Sequence, residues 1–214
     1  MEPNAHIRSI IAASTMNSEN MRHNFSDTPM PRTELDSHAN MVVLSKHAFI
    51  FDGIQSKTCD VHPCDPSIGK ATKVPIVDGA VAYDCPYTNE TYILLFHNAL
   101  HIPNLDHNLV PPFIMREAGI TVNDTAKIYV DDPTKSDHAI VVEDFNLTIP
   151  LQLNGIFSFF HTCIPSKNEI DHCRSIAMTP EAVTWDPYSE HYALNEESML
   201  DWEGNMLESR FRKK

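Results

Sequence analysis

Glycine is scarce in this chain. There are six in 214 residues, against a typical ~7%. No Gly-rich loop is present to cradle a phosphate, and no Gly-x-Ser-x-Gly elbow presents a nucleophilic serine. Long apolar runs are also missing. None approaches the roughly 18 residues needed to span a bilayer, so no membrane partner is expected. The apolar stretch near the N-terminus, Ile10-Ile11-Ala12-Ala13, is too short for the core of a signal peptide. The chain therefore reads as intracellular and cytoplasmic, and its four Asn-x-Ser/Thr matches (at Asn24, Asn89, Asn123 and Asn146) carry no weight. Positive charge is in deficit, with 16 Lys and Arg against 29 Asp and Glu and a net charge of -13. That balance argues against direct nucleic-acid binding, which needs cations to neutralise phosphates. The five cysteines are an odd number, and in a reducing compartment they are expected as free thiols. Cys59 and Cys64 bracket His62, but no second pair at matching spacing completes a zinc site.

What is present is a 42% hydrophobic composition, enough for one domain of ordinary size with extensions. Residues 1–32 are polar and broken, and read as a flexible arm. Residues 33–150 carry a succession of short apolar, β-branched and aromatic runs, and read as a mostly β domain. Strands are expected at Met41 to Leu44 and Ala48 to Phe51, with Asp52-Gly53 turning the chain and a loop from Lys57 to Lys70. Val74 to Tyr83 reads as a hairpin, because Asp78-Gly79 stands between two apolar runs. Further strands are expected at Tyr92 to Phe96, Ala99 to Ile102 after a kink, Ile120 to Val122 and Ala126 to Val130. A last hairpin is expected from Ala139 to Val142 and Leu147 to Leu153. Residues 151–214 read as a C-terminal extension or linker, with one helix near Asn168 to Ile176.

The stretch richest in chemistry is Leu35-Asp36-Ser37-His38-Ala39, followed by the apolar run Met41-Val42-Val43-Leu44. A carboxylate on a tight turn between apolar strands, with a small hydroxyl residue after it, is the arrangement an aspartic peptidase uses. Two carboxylates about 3 Å apart cannot both ionise; they share a proton, and one then acts as base on a water while the other acts as acid. Two later segments bear on this turn. One is Asn98-Ala99-Leu100-His101-Ile102-Pro103-Asn104-Leu105-Asp106-His107-Asn108-Leu109. The other runs from Asn108 through Pro111-Pro112 to Ala118-Gly119: an apolar strand, a break, and a short amphipathic helix closed by glycine.

Together these segments resemble the retropepsin-like proteases of copia-type retrotransposon polyproteins, over roughly residues 33 to 122. The resemblance implies a small closed β-barrel with one short helix. It also implies an aspartic endopeptidase that cuts its own polyprotein. Asp36 would supply half of the dyad, Ser37 would buttress it, and Ala39 would fill the turn. With one motif per chain, the active form would be a homodimer with one Asp36 from each subunit. Water is the nucleophile and no cofactor or metal is implied. A hairpin flap closes over the substrate in such proteases, and Asp78, Gly79 and Ala80 lie in the matching interval. The chain departs from the family where glycine usually follows the hydroxyl residue, here His38, and where a Gly-Arg pair precedes the late helix, here Pro111-Pro112. The rival expectation is an inactive protease-like domain that serves as a dimerising or scaffolding module. A metal-dependent hydrolase using His97 and His101, four apart on a strand, is a third class. Spacing leaves open a Ser-His-Asp triad built from any serine and any of the twelve histidines, with no Gly-x-Ser-x-Gly elbow to support one.

Overall fold

The computed structural model describes residues 31–51, 57–62, 69–180 and 200–205. The chain divides into two units, Met1–Val183 and Thr184–Lys214. The expected arm at 1–32 and the Asp52-Gly53 turn lie almost wholly outside the described residues, as does Cys64. In chain order the first unit comprises β1 (Arg32–Leu35), β2 (Val43–Leu44), β3 (Phe49–Ile50), β4 (Thr58–Val61), β5 (Ala71–Asp84), β6 (Thr91–His101) and β7 (Asn108–Val110). Helix α1 (Pro112–Glu117) follows, then β8 (Thr121–Asn123), β9 (Ala139–Val142), β10 (Leu147–Pro150), β11 (Gln152–Asn154), β12 (Phe157–His161), helix α2 (Lys167–His172) and β13 (Arg174–Ala177). The unit is mostly β with two short α-helices, as the apolar patterning predicts.

Ten strands form one sheet in the order β11-β12-β1-β7-β2-β6-β5-β3, with β13 also on β6 and β4 also on β5. Strands β10-β9-β8 form a second sheet. The large sheet is an open path: among the described residues no pairing joins β11 to β3, so hydrogen bonding does not close it into the expected barrel. Its centre is the long antiparallel pair β5–β6. Both faces of that pair are covered. Val81, Tyr83, Tyr92, Leu94 and Phe96 belong to the main core, while Ala80, Ala82 and Ile93 pack on the other side against Phe51 and Leu95. Burial on both faces is why these strands read as near-continuous apolar runs instead of alternating ones.

The hairpin expected at Asp78-Gly79 is not formed. Residues 74–83 lie within the single strand β5. Their neighbours show a β-bulge: Val77 pairs with Ala99 and Gly79 with Phe96, so Asp78 alone faces His97 and Asn98. Asn98 takes a left-handed φ of 54°, which asparagine tolerates. Its N–H donates to Asp78 Oδ1 at 2.9 Å, and His97 Nδ1 lies 3.4 Å from Asp78 Oδ2. This is the kink expected before Ala99. Gly79 is therefore a close-packing glycine: a Cβ there would stand 2.5 Å from Leu44 Cδ1 and 2.8 Å from the Phe49 carbonyl oxygen. The β5–β6 turn lies at residues 85–90, closed by Cys85 N–H to Glu90 O.

Other expectations shift in detail. The loop expected from Lys57 to Lys70 contains β4, paired antiparallel with the start of β5. The strand expected at Ala126 to Val130 is instead a 3-10 turn at Lys127–Tyr129. The hairpin at Ala139 to Leu153 is present as β9–β10, and its turn is closed by Asn146 at φ 48°. Only the first half of the helix expected at Asn168 to Ile176 forms. It carries a capping box in which Ser166 Oγ accepts from Glu169 N–H while Glu169 Oε2 accepts from Ser166 N–H. The second half is β13, parallel to β6.

The larger correction concerns the boundary expected at 150. β12 pairs antiparallel with β1, and β13 lies against β6. Phe160, Ile176 and Met178 are buried in the main core. The compact unit therefore runs to Val183, and residues 151–183 are part of it. In the second unit, Asp201 accepts from the N–H groups of Glu203 (2.9 Å) and Asn205 (2.8 Å), a local turn beside the exposed Trp202.

Candidate active site

Strand β7 enters between the strands on either side of the Asp36 turn. It is parallel to β1 and antiparallel to β2. The N–H of Asp36 donates to the carbonyl of Val110 at 3.1 Å, so the first turn residue is tied to the end of β7. A buried polar chain pins the three strands. Asn108 Oδ1 accepts from the backbone N–H (2.8 Å) and hydroxyl (3.0 Å) of Ser45, Asn108 Nδ2 donates to Thr33 Oγ1 (3.4 Å), and Thr33 shares a hydroxyl bond with Thr162 (2.9 Å). Thr33, Ser45 and Asn108 are fully buried. Removing one partner would strand the others without hydrogen bonds, at a cost of about 1–3 kcal/mol for each orphaned group.

The chain leaves β7 through Pro111-Pro112 and starts α1. Pro112 opens the helix, where the missing N–H has no intrahelical role and the fixed φ is already helical. The two prolines thus launch the helix without costing it a hydrogen bond. Ile114 and Met115 anchor it in the core. Gly119, at φ 81°, closes it, with Ile120 N–H returning to the Met115 carbonyl.

Asp36, Ser37, His38 and Ala39 form one tight turn, in which Ala39 N–H donates to the Asp36 carbonyl at 3.4 Å. The Asp36 side chain folds back and accepts the His38 N–H on Oδ1 at 2.9 Å. His38 is not among the residues with positive φ, so the turn does not require glycine there. Ser37 and His38 are exposed, with Ser37 Oγ 3.4 Å from His38 Nδ1. Ala39 is buried beneath the turn. Burial raises the Asp36 carboxyl above its ordinary value. The N–H groups of His38 and Ala39 and the nearby His38 imidazole pull the other way, and burial prevails.

Asp36 opens onto a cleft of about 440 Å³. Glu34 and Asp124 line it too, with an apolar wall of Leu35, Leu109, Pro112, Ile156 and Phe157. Ile156, at the turn of the β11–β12 hairpin, is 89% exposed. Glu34 is bound by Arg32, and Asp124 lies 3.2 Å from Arg116 Nη2. Ile156, Phe157 and Ser158 come from the segment that sequence reasoning set aside as an extension. Their only signal was the aromatic run at 157–160. Asp78, Gly79 and Ala80 do not line this cleft; they sit within the sheet. The bulge at Asn98 interrupts the alternation that would put His97 and His101 on one face. Among the described residues no cluster of three or more His, Cys, Asp or Glu could hold a metal. No helix among them is long and apolar enough to cross a membrane. No protein-family model, curated protein or solved structure matches this chain.

Proposed function

We propose that this protein is a retropepsin-type aspartic endopeptidase, active as a homodimer in which each subunit contributes Asp36 to one dyad. The observation that carries the reading is the setting of Asp36: a half-buried carboxylate on a hydrogen-bonded turn, opening onto a cleft, with β7 and the start of α1 inserted between the strands that flank it. A raised titration value suits a group that must hold a proton in one step and release it in the next. Because the chain carries one Asp-Ser-x-Ala motif, the second carboxylate comes from another copy of the chain. The apolar cleft wall accommodates an extended polypeptide, and the resemblance makes the natural substrate the parent polyprotein. A barrel-like curl of the large sheet is part of the same proposal.

The test is cleavage of a peptide pool by wild type and by Asp36→Asn. The variant should keep the wild-type circular dichroism spectrum and lose roughly 10²–10⁴-fold or more in turnover, the range for losing a positioned acid–base group. Wild-type turnover in Asp36→Asn refutes the assignment. Specific activity should also fall on dilution as protomers separate. A flat profile from micromolar to nanomolar protein, with a monomer on a sizing column, refutes the shared dyad.

A further inference from the structure

One residue lining the same cleft, Ser158, is paired with a buried histidine behind it. Ser158 is on β12, and its Oγ lies 2.9 Å from His138 Nε2. His138 is 96% buried by its 4% exposure, with a left-handed φ of 49°. A histidine kept in that backbone region is under strain, and such strain persists where the surroundings enforce it, most often at functional sites. The enforcement here is visible: the His138 carbonyl accepts from Leu151 N–H at 2.9 Å, and the ring is fixed by Ser158. Burial and the charge of Lys127 lower the His138 titration value, while Asp124 opposes them. Asp124, which lines the cleft, is the carboxylate that favours the cationic form of the ring.

We infer that Ser158 is a nucleophile activated by His138, giving the cleft an acyl-transfer activity besides the proposed peptide cleavage. Hydroxyl and base within hydrogen-bond reach, in a concave site, are the geometry such catalysis requires. The Ser158 Oγ–H proton passes to His138 Nε2 as Oγ bonds to the acyl carbon. The leaving alkoxide departs with that proton as the ester bond breaks, and water repeats the exchange to release the acid and restore Ser158. The wall of Leu109, Pro112, Ile156 and Phe157 favours apolar substrates. The substrate class is thus an uncharged ester with an apolar acyl group.

The experiment is covalent labelling with an uncharged alkyl fluorophosphonate, in which Oγ displaces fluoride from phosphorus, followed by peptide mass mapping. The expected result is an adduct on Ser158 of the wild-type chain. His138→Asn, chosen because asparagine tolerates the left-handed backbone, should fold as judged by circular dichroism and label roughly 10²–10⁴-fold more slowly. The adduct is mapped to Ser158 itself, so a Ser158 adduct on a chain that cleaves no peptide keeps this inference separable from the peptidase reading. Absence of a Ser158 adduct in the wild type overturns the inference. So does an undiminished rate in folded His138→Asn.

Discussion

At the scale of single residues, the position that departs most from the resembled pattern is His38. Its backbone does the work expected of a glycine there: the N–H reaches the Asp36 carboxylate without a positive φ. The side chain adds something glycine would not. A protonated imidazole beside Asp36 lowers the carboxyl's titration value, against the dominant upward push of burial. Removing that cation leaves burial less opposed, so the value rises further. In a shared dyad the acid limb of the rate profile reports ionisation of the pair. His38→Gly should therefore move the acid limb to higher pH and change the rate, in a pH series from about 3 to 8 that spans the ordinary ranges of Asp and His. Superimposable profiles would mean the imidazole does not act on the pair. An inert wild type with activity gained in His38→Gly would favour the scaffolding role over catalysis.

At the scale of elements, β5 and β6 explain most of what sequence patterns alone misjudge. Asp-Gly between apolar runs is a strong hairpin signal, yet here it lies in a strand. Alternative partners decide the matter. Asp78 is committed to the bulge through Asn98 N–H and His97, and Gly79 gives Leu44 and Phe49 the room they occupy. Gly79→Ala should be destabilising by about 1–3 kcal/mol, the usual cost of overpacking a filled core, because the Phe49 carbonyl is backbone and cannot swing aside. Urea unfolding monitored by fluorescence reads this directly. A midpoint at or above that of wild type would show that the strands separate freely at this point and that the glycine is there for turning after all. The hairpin assigned to β9–β10 and the helix closed at Gly119 were legible because their signals are local. Asn146 and Gly119 supply the left-handed residues that those ends need, whatever lies around them.

At the scale of the whole molecule, residues 151–183 complete the domain. β12 covers the outer edge of β1, the strand that leads into Asp36, and β13 covers part of β6. A chain ending at residue 150 would expose those two edges and lose Phe160, Ile176 and Met178 from the core. Unpaired edges favour aggregation, and a buried aromatic alone contributes about 3–5 kcal/mol, a large share of a typical domain's stability. The truncated chain should therefore fail to show a cooperative thermal transition, whereas a chain ending at Val183 should keep it. A cooperative melt for the chain ending at 150 would restore the boundary suggested by composition.

The mostly β character, the Asp36 turn, the kink before Ala99 and the short helix after Pro111 were all determined by the sequence itself. Each depends on interactions within a few residues: a carboxylate folding onto a nearby N–H, an asparagine accepting a left-handed φ, a proline at a helix start, a glycine at its end. What only the tertiary structure decided is which segments become neighbours. The insertion of β7 between β1 and β2, the docking of β12 and β13, and the meeting of Ser158 with His138 all join residues brought together by sheet order. The physical reason is that a strand's hydrogen bonds are satisfied by a partner that may lie anywhere in the chain. The choice among partners is made by burying the whole core at once, and no local pattern records it.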